Sequence, residues 1–251
     1  MRIVRFVEKG GEGRYGVIEG DDVYAVEGEV FGDLNRGERV GALSELRLLA
    51  PCQPTKVVAV GLNYAAHAAE SQKEVPAEPI LFLKPPSAVI GPGEKIVYPA
   101  ISQWVDHEAE LVAVVGRRAR NVAAGEALDY LLGYTCGNDV SARDLQRRDG
   151  QWARGKGFDT FCPLGPWIVT DLEPGDLAIA CRVNGQVRQE SRTSHMVFSV
   201  AELVAHVTQV MTLEPGDVIL TGTPAGIGPL QRGDRVEVEI EGVGVLENRV
   251  V

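Results

Sequence analysis

Glycine and proline interrupt this chain at short intervals, which restricts it to short elements of secondary structure. The 251 residues include 29 glycines and 14 prolines. Between these residues lie brief apolar runs such as VVAV at 57–60, ILFLK at 80–84 and DVILTG at 217–222. Short apolar runs bounded by turn-forming residues are typical of strands. The pattern therefore predicts a predominantly β fold with a few short helices.

The N-terminal part of the chain has a pattern of its own. Three strand-like segments between residues 3 and 30 alternate with the turns GGEG and GDD, which predicts a small β-meander. Residues 31–50 are less regular, and PCQP at 51–54 is a plausible boundary. We expect a small N-terminal β domain over residues 1–54 and a larger domain over residues 55–251.

Three segments carry signals for helices. The alanines that follow Asn63 favour a short helix with this residue near its N-cap. A second helix is expected from about Glu126 to Leu132. Ser199 and Glu202 have the spacing of a capping box, which predicts a third helix that ends near Met211.

Charge and cysteine content argue against several classes of function. The net charge is −10 and no lysine- and arginine-rich run occurs, so neither nucleic acid nor an anionic membrane is an expected partner. The four cysteines form no C-x-x-C pair, which suggests neither a zinc knuckle nor a redox motif, and we expect them to be reduced and mostly buried. The motifs of P-loop proteins, serine hydrolases and HExxH metalloproteases are absent. Charges among the first nine residues leave no apolar signal-peptide core, and we expect a cytoplasmic protein.

The segment Trp104–Gly116 has the most unusual pattern in the chain. If residues 104–115 form a strand, Glu108 and Glu110 share one face roughly 6.6 Å apart, immediately before an apolar run. Acids that enter a core at this spacing repel each other and need a cation. A divalent metal with oxygen ligands, such as Mg²⁺, Mn²⁺ or Ca²⁺, would meet that need. The alternative is an exposed edge strand with solvated acids.

Two further charged residues are candidates for the same site. Asp139 follows the next strand-like segment and is well placed as a third metal ligand, with an Asx turn or cap as the alternative. Lys156 lies between Gly155 and Gly157 and is a candidate for contact with an anion. The turn-rich loop TGTPAGIGP at 221–229 could also hold an anion through its backbone amides.

Six segments together resemble a known family. They are VGLNYAAHAAE (60–70), LFLKPPSAVIGPGEKI (81–96), DHEAELVAVVG (106–116), LLGYTCGNDVSARDLQ (131–146), RGKGFDTFCPLGPWIV (154–169) and LEPGDVILTGTPAGIG (213–228). Through these segments the chain resembles short members of the fumarylacetoacetate hydrolase family over most of residues 56–240. The resemblance implies a mixed β-sandwich roll with short helices, a catalytic domain over residues 55–251 and a homodimer. It also implies Mg²⁺ or Mn²⁺ held by Glu108, Glu110 and Asp139.

The resemblance also suggests roles for residues around the metal. His67 and Glu70 match a catalytic dyad on a lid helix, which we expect to form or close over bound substrate. Lys156 matches a catalytic lysine that contacts the metal-bound oxygens of the substrate. Gln146 and Thr223 match substrate-binding positions.

Four other polar residues near these motifs have less definite roles. Arg143 is a candidate for binding an acidic substrate, or else it forms a structural ion pair with Asp144. His107 lies on the opposite strand face from the acids and is expected to be structural. The role of Lys84 stays open.

The chemistry that the resemblance implies is that of a metal-stabilised enolate. A 2-oxo acid can chelate a metal through its carboxylate and keto oxygens, so that the metal acts as a Lewis acid. We expect an enzyme that isomerises or decarboxylates 2-oxo or enol dicarboxylic acids, as 2-hydroxyhepta-2,4-diene-1,7-dioate isomerase does, in aromatic-compound catabolism or central metabolism. The alternatives are C–C hydrolysis of an acylpyruvate of the fumarylpyruvate type and decarboxylation of oxaloacetate. A non-catalytic cation-binding β-module is the alternative from another class.

Overall fold

Strands dominate the structure, a computed structural model that describes residues 1–8 and 11–251. The strands are β1 (Arg2–Val7), β2 (Gly13–Glu19), β3 (Asp22–Gly28), β4 (Leu34–Ala42), β5 (Arg47–Leu48), β6 (Val57–Gly61), β7 (Ile80–Lys84), β8 (Val89–Ile90), β9 (Lys95–Ile96), β10 (Val105–His107), β11 (Ala109–Val115), β12 (Leu131–Asn138), β13 (Ser141–Ala142), β14 (Cys162–Val169), β15 (Ala178–Val183), β16 (Gln186–Arg192), β17 (Val218–Leu220), β18 (Gly228–Pro229), β19 (Arg235–Ile240) and β20 (Gly244–Val250). The α-helices are α1 (Ala65–Glu70), α2 (Arg143–Asp149), α3 (Ala153–Lys156) and α4 (Val200–Val210). Short 3₁₀ helices cover Leu43–Glu45, Pro86–Ala88, Ala124–Tyr130 and Thr193–His195. Lys9 and Gly10, which belong to the first predicted strand and its turn, lie outside the described residues.

These strands form a long mixed sheet and two smaller sheets, which confirms the predicted predominantly β class with short helices. The long sheet has the order β4-β3-β2-β1-β14-β12-β11-β17-β6-β7, with β5 beside β1 and β8 beside β14. A five-stranded sheet has the order β16-β15-β19-β20-β9, and a three-stranded sheet has the order β13-β10-β18. The long sheet packs against the five-stranded sheet and α4 around the larger hydrophobic core.

Strand β11 is buried on both faces, which explains its continuous apolar sequence. Leu111, Ala113 and Val115 belong to the larger core, and Val112 and Val114 belong to a second core on the other side of the sheet. A strand covered on both faces has an unbroken apolar run instead of an alternating one. The acidic residues at the start of β11 are therefore held on a rigid element.

The N-terminal strands extend the long sheet. β1 pairs antiparallel with β14, with Arg2 opposite Val169, and β2 and β3 form the predicted meander. β4 lies in the segment for which no regular element was predicted, because its residues are mostly polar and its burial does not alternate. The division of the chain into domains at residue 54 remains a prediction.

The predicted helices differ in how well they match the structure. The capping box of α4 is present: the Ser199 hydroxyl accepts from the Glu202 N–H, and the Glu202 carboxylate accepts from the Ser199 N–H at 2.7 Å. The second predicted helix is present, but its boundaries differ from the predicted ones. The helix is a 3₁₀ helix that ends at Tyr130, because Leu131 already pairs with β11 as the first residue of β12.

Asn63 does not cap α1. Tyr64 occupies the N-cap position and makes no side-chain capping bond. The Asn63 carboxamide instead donates to the carbonyls of Phe198 at 2.9 Å and Thr221 at 2.7 Å, and it accepts from the Phe198 N–H at 2.8 Å. Three distant hydrogen bonds thus take the place of one local bond, and they tie the start of α1 to the segments before α4 and after β17.

The four cysteines are free and buried, as the sequence predicted. Burial raises the pKa of the Cys52, Cys162 and Cys181 thiols to about 12, so they carry little thiolate near neutral pH. Within the described residues, no helix has the length and apolar character needed to cross a bilayer.

Candidate active site

The predicted strand over residues 104–115 is interrupted at Glu108. β10 pairs with β13 and β18 in the small sheet, and β11 pairs with β12 and β17 in the long sheet. At the break, the Glu108 N–H donates to the Asn138 side chain at 2.9 Å, and the Ala109 N–H donates to the Gln189 side chain at 3.0 Å. Side chains therefore replace sheet partners at this point. The alternation nevertheless persists, because Asp106, Glu108 and Glu110 all line one cavity.

His107 lies on the other side of this segment and is buried. Its Nδ1 is 3.1 Å from the Gln189 side-chain oxygen. That oxygen also accepts from the Ala109 N–H, so the imidazole Nδ1–H is assigned as the donor. Burial lowers the pKa of His107, although the hydrogen bond that its ring donates to Gln189 and the charges of nearby acids oppose the shift. A buried imidazole with a lowered pKa, held at Nδ1 by Gln189, supports the expected structural role.

Three carboxylates converge at the base of the cavity. One oxygen of each of Glu108, Glu110 and Asp139 lies within 4.8 Å of the others. Their exposed fractions are 4%, 1% and 1%, which argues against the alternative of solvated acids on an edge strand. The Asp139 N–H donates to the Glu108 carbonyl at 2.9 Å, so the end of β12 is held beside the strand break.

Two buried lysines neutralise part of this charge. Lys156 Nζ donates to Glu108 Oε2 and Asp139 Oδ2, both at 2.6 Å. Lys84 Nζ donates to Asp139 Oδ1 at 2.5 Å. The Asp139 carboxylate therefore binds two lysines and no local backbone, unlike an Asx turn. The sequence offered only one weak signal for Lys84, which is a lone lysine at the end of an apolar strand.

Arg143 binds the acids of the strand break and not its sequence neighbour. Its guanidinium donates to Asp106 Oδ2 at 2.9 Å and also to Glu108 Oε1. The predicted ion pair between Arg143 and Asp144 is wrong, because Asp144 turns away to accept from the Ser102 hydroxyl at 2.7 Å and the Gln103 N–H at 3.0 Å.

Glu110 differs from the other two acids in its surroundings. The Gly222 N–H donates to its Oε2 at 2.6 Å, and within the described residues no lysine or arginine nitrogen lies within 4.0 Å of its carboxylate. Burial, and then the charges of Asp139 and Glu108, raise the pKa of Glu110 well above its usual value.

Glu108 shows the opposite behaviour. Burial alone would raise the pKa of Glu108, but the charges of Lys156 and Arg143 outweigh it and hold that pKa well below its usual range. The triad thus combines Glu108, whose negative charge is compensated by two cations, with Glu110, which has no such partner among the described residues. Three buried carboxylates, one of them without a cationic partner in the described part of the chain, fit a divalent ion that prefers oxygen ligands.

The remaining predicted residues surround the same cavity, which has a volume of about 320 Å³. Its wall includes every candidate site residue that the sequence analysis named for catalysis, substrate binding or metal binding: His67, Glu70, Glu108, Glu110, Asp139, Arg143, Gln146, Lys156 and Thr223. The volume lies at the lower end of the range of small-molecule sites. The arrangement therefore suits a small ligand with oxygen donors.

Helix α1 contributes one wall. His67 Nδ1 is 3.4 Å from Glu70 Oε2, and the Gly226 N–H donates to both Glu70 oxygens at 3.0 and 3.2 Å. Glu70 thus ties α1 to the 221–229 loop. The amides of this loop hold two carboxylates of the protein itself, Glu70 through Gly226 and Glu110 through Gly222. The lid function of α1 stays a prediction.

The predicted substrate-binding residues are all engaged with protein partners. Arg143 Nη1 donates to Gln146 Oε1 at 2.6 Å. The Thr223 hydroxyl donates to the Ala109 carbonyl at 2.9 Å and accepts from Gln189 Nε2 at 2.7 Å. Gln189, for which the sequence carries no motif, therefore joins the strand break to the 221–229 loop. Contact of these residues with substrate stays a prediction.

Known proteins share this architecture. Residues 56–251 match the family model described as fumarylacetoacetate (FAA) hydrolase C-terminal, and residues 1–51 match the model described as Rv2993c-like, N-terminal. The crystal structure of 2-hydroxyhepta-2,4-diene-1,7-dioate isomerase from Mycobacterium marinum is 47% identical with a TM-score of 0.93, covering 100% of this chain and 98% of that one. Fumarylpyruvate hydrolase from Pseudomonas aeruginosa, in complex with Mn²⁺ and pyruvate, is 37% identical with a TM-score of 0.74, covering 78% and 89%. The mitochondrial oxaloacetate tautomerase FAHD2A of Bos taurus is 50% identical over 221 residues, which is 83% of this chain and 70% of the relative.

Proposed function

This chain belongs to the fumarylacetoacetate hydrolase family of enzymes, and from that premise we propose that it is a cytoplasmic, divalent-metal-dependent enzyme that isomerises or decarboxylates 2-oxo or enol dicarboxylic acids. The observation that carries the proposal is the convergence of Glu108, Glu110 and Asp139, within 4.8 Å of one another, at the base of a small cavity. The likeness to the isomerase of Mycobacterium marinum supports the isomerase branch.

The acidic triad would hold Mg²⁺, or Mn²⁺ as the alternative. The Mn²⁺ and pyruvate of the fumarylpyruvate hydrolase structure support a divalent ion and a 2-oxo acid for the present site as well. The ion would supply a Lewis acid to the oxygens of such a substrate. The donor set fits, because Glu110 is a buried carboxylate that no lysine or arginine of the described residues pairs with.

Lys156 is the catalytic residue best placed to stabilise negative charge on the substrate. It is 2% exposed and reaches the cavity between two carboxylates. Burial alone would lower the pKa of Lys156, but Asp139 and Glu108 outweigh this effect and raise it. A permanently charged ammonium in a site of low dielectric stabilises a developing oxyanion more strongly than it would in water.

His67 is the proposed proton-transfer group. Its side chain lines the cavity, and its Nδ1 faces the Glu70 carboxylate. Such a carboxylate favours the tautomer with the proton on Nδ1, which leaves Nε2 free to accept a proton. Glu70 acts here as a positioning residue, because it is held in turn by the Gly226 N–H.

Oxaloacetate tautomerisation is the second candidate. It is favoured by the 50% identity to the mitochondrial oxaloacetate tautomerase of Bos taurus. Keto–enol exchange uses the same groups as double-bond isomerisation, since both move a proton next to a stabilised oxyanion. C–C hydrolysis of an acylpyruvate and decarboxylation of oxaloacetate remain alternatives for the same site.

A substrate panel tests the proposal. The enzyme is stripped with EDTA, supplied with Mg²⁺ or Mn²⁺, and assayed with 2-hydroxyhepta-2,4-diene-1,7-dioate, oxaloacetate and fumarylpyruvate. Absorbance follows isomerisation and tautomerisation, CO₂ release follows decarboxylation, and product analysis detects C–C cleavage. Metal-dependent isomerisation of the dioate is the expected result. Absence of metal-dependent turnover of every substrate would contradict the proposal.

We also propose that the enzyme is a homodimer. Ile80 and Leu83 are 38% and 49% exposed and lie on β7, the last strand of the long sheet. An exposed apolar edge strand is prone to pair with another chain, and a dimer would cover it. Light scattering should give twice the chain mass of 27.0 kDa, and a stable monomer at micromolar concentration would contradict this proposal alone.

A further inference from the structure

Two basic residues lie at the mouth of the cavity, and neither has an acidic partner among the described residues. Arg147 on α2 and Lys73 after α1 are exposed, and both line the cavity that contains the acidic triad. Within the part of the chain that the structure describes, no carboxylate oxygen lies within 4.0 Å of either side chain, whereas Lys84, Arg143 and Lys156 at the base are all paired. The mouth therefore carries two uncompensated positive charges.

Each of these cations lies against a tryptophan. The Arg147 guanidinium carbon is 4.6 Å from the centroid of the Trp104 ring, and Lys73 Nζ is 5.4 Å from the centroid of the Trp152 ring. At exposed sites such cation–π contacts are worth about 0.5–1 kcal/mol. They restrict the two long side chains to positions at the mouth while their charges stay available to a ligand.

Trp104 is fixed by hydrogen bonds to residues at the bottom of the cavity. Its Nε1 donates to Asp106 Oδ1 at 2.6 Å, and the other oxygen of Asp106 accepts from Arg143 at 2.9 Å. Since Arg143 also binds Glu108, a continuous polar chain links the metal-binding acids to the ring that supports Arg147.

Trp152 is held from the other side by apolar contacts. Its ring packs edge-on against Phe82, with centroids 5.1 Å apart at 72°, and the Lys156 ammonium is 5.1 Å from the Phe82 centroid. A Cβ on Gly61 would lie only 2.7 Å from the Trp152 ring, so the indole packs directly on this backbone. The Trp152 ring that contacts Lys73 is therefore also fixed relative to Lys156 at the bottom of the cavity.

We propose that Arg147 and Lys73 bind the carboxylate of the substrate that lies farthest from the metal-binding triad. This inference rests on the proposed function, which places the 2-oxo acid end of the substrate at the base. The same cavity wall includes the apolar side chains of Val60, Phe82 and Ile227, which suit the carbon chain between two anionic ends. The two residues thus determine specificity for dicarboxylates over monocarboxylates.

The overall charge of the protein makes such local cations necessary. The net charge of −10 repels a dianion at long range. Exposed cations at the mouth offset this repulsion where the second carboxylate lies. Because these two cations are exposed, their attraction for a carboxylate extends over about one Debye length, ~10 Å at 0.1 M. Added salt shortens this length and should weaken the attraction.

Binding of two matched ligands tests the proposal without depending on which reaction the enzyme catalyses. 2-Oxoglutarate and 2-oxopentanoate have the same chain length, and only the first has a second carboxylate. Calorimetry with the Mg²⁺-loaded protein should give about tenfold tighter binding of 2-oxoglutarate, which corresponds to ~1.4 kcal/mol. The variant with Arg147→Gln and Lys73→Gln should lose that preference, and its affinity for 2-oxopentanoate should change by less than about twofold.

A charge-matched control separates local binding from net charge. Arg148→Gln combined with Lys95→Gln removes the same two charges from exposed positions outside the cavity wall and should keep the preference. The inference would be overturned if the Arg147→Gln, Lys73→Gln variant lost the same factor in affinity for both ligands. It would also be overturned if the control variant lost the preference for 2-oxoglutarate. Binding of both ligands to the wild type without preference would overturn the inference alone. Failure of 2-oxopentanoate to bind in a metal-dependent way would count against the proposed function itself.

Discussion

Lys84 Nζ lies 2.5 Å from Asp139 Oδ1, although 55 residues separate them in the chain. Both side chains are almost completely buried, and the other oxygen of Asp139 binds Lys156. The proposed metal ligand therefore already has two cationic partners before any ion is bound. These partners compensate its charge within the fold, and they also repel an incoming divalent cation.

Lys84→Met should therefore separate stability from metal binding. Breaking a buried ion pair costs about 3–5 kcal/mol, and because Lys156 still binds Asp139 we expect a loss of about 2–4 kcal/mol in EDTA. Mg²⁺ should raise the melting temperature more in this variant than in the wild type, since one repelling charge is gone. Lys95→Met, at an exposed position, is the control. An equal Mg²⁺-induced shift in both proteins would contradict the prediction.

Glu110→Gln and Glu108→Gln should differ in the metal-free protein. Both should lose Mg²⁺ and Mn²⁺ binding, measured by calorimetry. Burial and neighbouring acids raise the pKa of Glu110, so its replacement should not lower the free energy of unfolding in EDTA. Glu108→Gln should lower it by about 3 kcal/mol, because Lys156 and Arg143 lose their buried partner. Urea unfolding measures both values, and equal effects of the two substitutions would refute this account.

His67→Ala should lower kcat by about 10²–10⁴-fold, the usual contribution of a general acid–base group. The affinity for Mg²⁺ should not change, because the imidazole is not among the proposed metal ligands. His195→Ala is a suitable control, since the His195 side chain is exposed and contacts the Ser191 hydroxyl at the surface. Full turnover by His67→Ala would assign proton transfer to another group, such as Lys156.

Asp217 should make stability depend on acidity. Burial alone would raise the pKa of Asp217, but hydrogen bonds from the Glu214 N–H, the Lys56 ammonium and Thr55 outweigh it and lower that pKa from 3.8. An acid with a lowered folded-state pKa contributes stability above its unfolded pKa and loses it as pH falls through the folded pKa. The Asp217 contribution should therefore be complete at neutral pH and should decline below about pH 4.

Asp217→Asn tests this dependence. At neutral pH it should lower the free energy of unfolding by about 1.5–3 kcal/mol, the range for hydrogen bonds to a charged group. The difference from the wild type, measured by urea unfolding, should shrink as the pH falls below about 4. Asp171→Asn removes a carboxylate whose side chain is 84% exposed and should have little effect. A difference that stays constant down to pH 3 would contradict the assignment.

Local patterns in the sequence predicted much of the site. The two-residue alternation of Glu108 and Glu110 survived the break in the strand, because it depends only on extended backbone and not on the sheet that the strand joins. The capping box of α4 was equally readable, since both of its hydrogen bonds lie within four residues. Asp139 and Lys156 stood out through their neighbours in sequence, and the family resemblance assigned them to the same site.

Long-range contacts were beyond the reach of such patterns. Asn63 had the signature of a helix cap, but partners more than a hundred residues away took its side chain. Arg143 had an acid next to it in the sequence and nevertheless binds Asp106 and Glu108, 37 and 35 residues away. Gln189 had no local motif, and Lys84 was marked only as a lone lysine at the end of an apolar strand.

The sequence by itself thus determined the β class, the pair of acids on one strand face and the family to which the chain is similar, because these properties reside in neighbouring residues. Only the tertiary structure decided which cation compensates which acid, and that among the described residues Glu110 has no cationic partner. Burial is the physical reason. In a site that excludes water, each charge must be matched by whichever group the fold brings within a few ångströms, and its distance along the chain does not matter.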